Sequence, residues 1–174
     1  MVVTLLVAML AVGGIDSSSS DAQRPAAAVP LVRLKPADSE MRRLIGEGYG
    51  RSTSFRELVD ALHRSNAIVT VQFGMCANGR FRSCVTNVSS DDRTRSIRIK
   101  VNTRTTDNRL IATIAHEIWH ALEILAEPGA TDPEGVLALY RRIGIGACRE
   151  GLSDRCETEA ARALESRVEA ELAR

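Results

Sequence analysis

The stretch from Leu110 to Leu125 constrains this chain more than any other. Leu110, Ile111, Ile114, Ile118, Ala121, Leu122 and Leu125 recur so that, at about 100° per residue, they share one face of an α-helix. A helix with such a stripe must bury it against other elements. His116 and His120, two of the three histidines in the chain, fall on the opposite side. Four residues of spacing puts them about 40° apart in projection and one turn apart in rise. Two imidazoles so placed can reach one metal ion, and neutral imidazole ligates zinc at about 2.0–2.1 Å. Glu117 points roughly 100° away from His116, beside such an ion rather than onto it. Its carboxylate can there take a proton from water activated by the metal.

A catalytic zinc ion takes three protein ligands and keeps one position open. Glu123 shares the histidine stripe, but it lies about 10 Å along the axis from His116, too far to join one tetrahedral ion. It is expected to orient a histidine ring nitrogen; a free surface carboxylate is the competing reading. No histidine follows His120, and His63 sits on a helical segment far upstream. The last helical segment offers Glu157 and Glu159. Glu157 shares the apolar stripe of Ala161, Leu164, Val168 and Leu172, whereas Glu159 points about 200° away, toward solvent. A carboxylate on an apolar stripe is costly unless paired or bound to a metal. Glu157 is therefore the expected third ligand and Glu159 the alternative. Asp154 and Glu157 also fit a capping box, the competing structural role.

Upstream, the patterns change. A short helix is expected near Ser39–Ile45. A second begins at Ser54, with Glu57 completing a capping box and Phe55, Leu58, Val59 and Leu62 at helical spacing. Residues 67–74 read as a strand, since Val69, Val71 and Phe73 alternate onto one face. Asn78-Gly79 is a hairpin-turn signal, so Phe81–Val88 is expected to return beside it. Ile97, Ile99 and Val101 alternate with Arg98 and Lys100, which suits an antiparallel sheet wet on one side. Thr131, Asp132 and Pro133 begin another helix well. The expectation is an α+β fold, a small antiparallel sheet followed by helices.

The chain has 174 residues and a formal net charge of +1. That length suits one domain with a real core, and the charge argues against a nucleic-acid partner. Residues 1–15 carry no charge and are mostly apolar, too short a run to span about 30 Å of hydrocarbon. They fit an export signal, although the first positive residue is Arg24. Cleavage is expected after Gly13 or Ala22. The organisation read from the sequence is an export signal over 1–22, a flexible linker over 23–36 and one domain over 37–174. No stable membrane insertion is expected after cleavage. The four cysteines, Cys76, Cys84, Cys148 and Cys156, then favour disulfides. The equal spacing favours Cys76–Cys84 and Cys148–Cys156, among three connectivities that the sequence allows.

These features resemble the gluzincin zinc metallopeptidases, which carry His-Glu-x-x-His on one helix and a glutamate on a later one. Glu157-Thr158-Glu159-Ala160-Ala161 matches the Glu-x-x-Ala-Asp stretch of some gluzincins at its first and fourth positions, with Ala161 in place of aspartate. The resemblance covers residues 97–163. It implies a zincin-like fold and one zinc ion per chain on His116, His120 and Glu157, with Glu117 as catalytic base. It implies a peptide or protein substrate held in extended form along the edge of the Ser96–Val101 strand. It also implies a Tyr, His or Arg that stabilises the oxyanion. Tyr140, Arg141 and Arg142 are the candidates, and Tyr140 suits a core position equally. The expected activity is zinc-dependent peptide hydrolysis in a secreted or periplasmic protein. The alternatives are a zinc amidase acting on a cell-wall peptide, and a non-catalytic secreted domain that binds zinc or a partner.

Overall fold

The computed structural model describes residues 29–77, 81–91, 94–103, 105–146 and 156–174. The export signal, the Asn78-Gly79 turn and Cys148, with its expected bond to Cys156, lie outside these residues. The elements are β1 (Leu34–Pro36), α1 (Ser39–Arg51), α2 (Thr53–His63), β2 (Ile68–Phe73), β3 (Ser83–Ser90), β4 (Arg95–Val101), α3 (Asp107–Ala126), α4 (Pro133–Ile143) and α5 (Glu159–Leu172). The class is α+β.

The sheet runs in the order β1-β2-β4-β3. β1, β2 and β4 are parallel, and β3 lies antiparallel to β4. The sheet is therefore mixed, not antiparallel as expected, and α1 and α2 precede most of it. Cys76 and Phe81 pair in an isolated antiparallel bridge where the hairpin was expected, but β3 does not go on to pair with β2, because β4 lies between them. Side-chain chemistry explains the order. Val69, Val71, Ile97, Ile99 and Val101 are buried, so β2 and β4 need covered, interior places. β3 is mostly Ser, Thr and Asn, and Val88 is its one buried residue, which suits an edge. Cys76 and Cys84 are bonded, with 6.0 Å between their Cα atoms. The bond joins the segment after β2 to the second residue of β3 and encloses the Cys76–Phe81 bridge.

Leu34–Pro36 falls in the stretch that composition assigned to a flexible linker. It is a strand instead, and Leu34 is part of the core. α1 begins where expected and runs on to Arg51. Ser52, not Ser54, caps α2, its Oγ accepting from Phe55 N at 3.0 Å. Ser54 is drawn off by Glu171, whose carboxylate receives its N–H at 3.0 Å and its hydroxyl at 2.8 Å. Asp132 caps α4 ahead of Pro133, as expected. α3 buries Leu110, Ile111, Ile114, Ile118 and Ala121 as its stripe requires. Its histidine side is covered as well, packed by α5 and β3. Arg95 of β4 closes the far end of α3, donating to Ile124 O and Glu127 O, both at 2.8 Å. Among the described residues, no helix is long and apolar enough to cross a membrane. The disulfide is compatible with an extracellular location.

Candidate metal centre

Helical spacing on α3 aims both imidazoles at one point. His116 Nε2 and His120 Nε2 are 3.1 Å apart, and Glu157 Oε2 lies 3.5 Å from His116 Nε2. Ligands of a tetrahedral zinc ion at 2.0–2.1 Å stand about 3.3–3.4 Å from one another. The three residues offer ligand atoms that all lie within 4.8 Å of one another. Two imidazoles and one carboxylate make a donor set that suits zinc. These residues can hold a metal ion.

Glu157 reaches the cluster by a different route from the one its stripe suggested. α5 starts two residues later, at Glu159, with Thr158 as its cap. Glu157 sits just before the helix, where its carbonyl accepts from Ile145 N at 2.9 Å in an isolated bridge. Thr158 caps the helix, its Oγ1 accepting from Ala161 N at 3.1 Å, so Glu157 precedes α5 rather than standing in its first turn; Asp154 lies outside the described residues. Glu159 is exposed and outside the cluster, as is His63 at the end of α2.

Glu123 has the orienting position expected of it. Its Oε2 lies 2.7 Å from His120 Nδ1, and its Oε1 accepts from Thr158 Oγ1 at 2.7 Å and Trp119 Nε1 at 2.8 Å. Burial pushes this carboxyl up, but His120 and the two donors outweigh it and hold it below the usual range. Tyr140 stacks edge-on against His120, and its hydroxyl lies 3.4 Å from both His120 O and Glu123 Oε2. Burial, reinforced by Glu123, keeps that phenol protonated well past its ordinary range. Arg142 pairs with Glu127 and Arg141 is exposed.

His116, Glu117 and His120 are 5%, 4% and 4% exposed, so they are not a solvated pair on a surface helix. Burial pushes the Glu117 carboxyl above its usual range, against the pull of both histidines and the Ser83 hydroxyl. For His116, burial pushes down, but Glu165, Glu117 and Glu157 together raise it. A cleft of about 1080 Å³ between β3, α3, α4 and α5 has the cluster in its lining. Tyr140 lines it; Arg141 and Arg142 do not.

Two features were not anticipated. β4 is paired on both sides, so its edge is unavailable, and among the described residues the unpaired edge beside the cleft belongs to β3. Glu165 was overlooked, though it falls about 40° from Ala161 in projection, at the border of the buried stripe. Its Oε2 lies 3.2 Å from His116 Nδ1. Arg82 and Arg162 also face the cleft, near Glu165 and Glu157 respectively. No family model, curated protein or solved structure matches this chain.

Proposed function

We propose that this chain is an exported zinc peptidase of the gluzincin type, with Glu117 as its general base. The observation that carries the reading is the convergence of His116, His120 and Glu157 at a cleft that also receives Glu117. A zinc ion in such a set supplies Lewis acidity, polarising a carbonyl and making water nucleophilic near neutral pH. Glu117 takes the proton from the attacking water and returns it to the leaving amine. A carboxyl whose proton affinity is raised by burial suits that exchange. The free edge of β3 presents backbone N–H and C=O groups to the cleft, so an extended peptide can add to it as a further strand. The likeness to zincins rests on the helix-borne histidine pair, the later glutamate and this edge strand. The Cys76–Cys84 bond and the apolar N-terminal run support export.

The test is zinc content by mass spectrometry and turnover of a peptide library, for wild type and Glu117→Ala. One zinc per chain is expected in both, with turnover falling about 10²–10⁴-fold in the variant. Zinc in both and turnover in neither would favour a non-catalytic zinc-binding domain.

A further inference from the structure

We infer that Glu165 is a positioning residue for the metal centre, holding the His116 ring so that its Nε2 lone pair faces the ion. The inference rests on the metal-centre reading above. His116 Nδ1 is buried and has no aligned hydrogen-bond partner among the described residues. The carboxylate facing it is Glu165 Oε2, at 3.2 Å. A small rotation of either group makes that contact a hydrogen bond.

Glu165 is itself held. Its Oε1 accepts from Thr113 Oγ1 at 3.3 Å, and an Arg82 nitrogen lies 3.4 Å away. His116 and Arg82 keep its carboxyl below the usual range, against burial. Thr113 stands one turn before His116 on α3, so Glu165 bridges α5 to the helix that carries both histidines.

The arrangement repeats what His120 receives from Glu123. On each ring, Nδ1 faces a carboxylate and Nε2 faces the shared point. A carboxylate there fixes the proton on Nδ1, frees Nε2 as the donor and makes the ring a stronger ligand. The difference lies in origin. Glu123 comes from the same turn as His120, whereas Glu165 comes from another helix. The His116 side of the centre therefore depends on α5 being docked.

The test is zinc affinity by chelator competition, using Zn²⁺ alone, for wild type, Glu165→Gln and Glu165→Ala. Melting of each metal-free protein is measured alongside. Affinity should fall about 10–100-fold in Glu165→Ala. It should fall less in Glu165→Gln, which keeps an acceptor oxygen and should melt within about 2 °C of wild type. Equal affinity in all three proteins overturns the inference and leaves the metal centre standing. No zinc bound by wild type overturns the metal centre and the inference with it. A weaker affinity accompanied by unfolding of both metal-free variants assigns Glu165 to packing and overturns its positioning role.

Discussion

At its C-terminal end, α5 is clamped. The Glu171 carboxylate receives the Ser52 hydroxyl at 2.6 Å as well as both donors of Ser54. Leu172 O receives Asn108 Nδ2 at 3.2 Å and the Arg51 guanidinium, while Val168 and Leu172 are buried. At the other end, Thr158 ties the helix start inward through Glu123, and Ile145 N–H donates to Glu157 O just before it. Beside it, Arg162 reaches Glu157 at 3.4 Å with its side chain 61% exposed, and the Glu157 side chain is 29% exposed. One rod thus has an end remote from the cleft held by buried apolar residues and carboxylate contacts, and an end facing the cleft where Glu157 and Arg162 are partly exposed. Positioning is supplied at a distance, and the groups that meet a ligand stay accessible.

Four substitutions probe this contrast. Leu172→Ala should cost about 2–5 kcal/mol in urea unfolding of the metal-free protein; a loss under about 1 kcal/mol would erase the clamp. Glu171→Ala should cost about 1–3 kcal/mol, because Ser52 and Ser54 lose their acceptor. Burial pushes the Glu171 carboxyl up, but the donors from Ser52 and Ser54 outweigh it and lower it. A lowered folded pKa gives stability that is present above the unfolded value and lost as pH falls through the folded one. Below about pH 5, wild type should therefore shed this stability while Glu171→Ala shows a flatter acid limb. At the cleft end, Glu157→Gln should change metal-free stability by less than about 0.5 kcal/mol. Its zinc affinity should nevertheless drop at least about tenfold, read by chelator competition. Arg162→Ala should do least, staying within about 0.5 kcal/mol by the same unfolding assay. A larger loss there would mean that the cleft end is clamped too.

The sequence was most legible where one local period decides the outcome. His116, Glu117 and His120 follow from helical spacing on α3, and so does Glu123, because its partner is one turn away. Glu157 was reached with the wrong phase. Its position depends on a bridge to Ile145, which no local pattern records. Glu165 was missed because its partner is on another helix. The same limit applies to the sheet. Alternation located β2 and β4, but strand order depends on competition for the covered centre, and the polarity of β3 was the unused clue. Ser54 looked like a cap until Glu171, far along the chain, claimed its donors.

The pairing of β3 with β4 shifts register between Val85 and Asn87. Such a bulge bends the strand and strengthens its twist. An open edge is ordinarily an invitation to self-association, and long flat edges seed fibrils. Here the shift divides the edge into two short regular runs, Ser83–Val85 and Asn87–Ser90. Neither run offers a second copy of the protein a long, flat ladder to stack upon. The irregularity thus shortens the flat ladder without closing the edge.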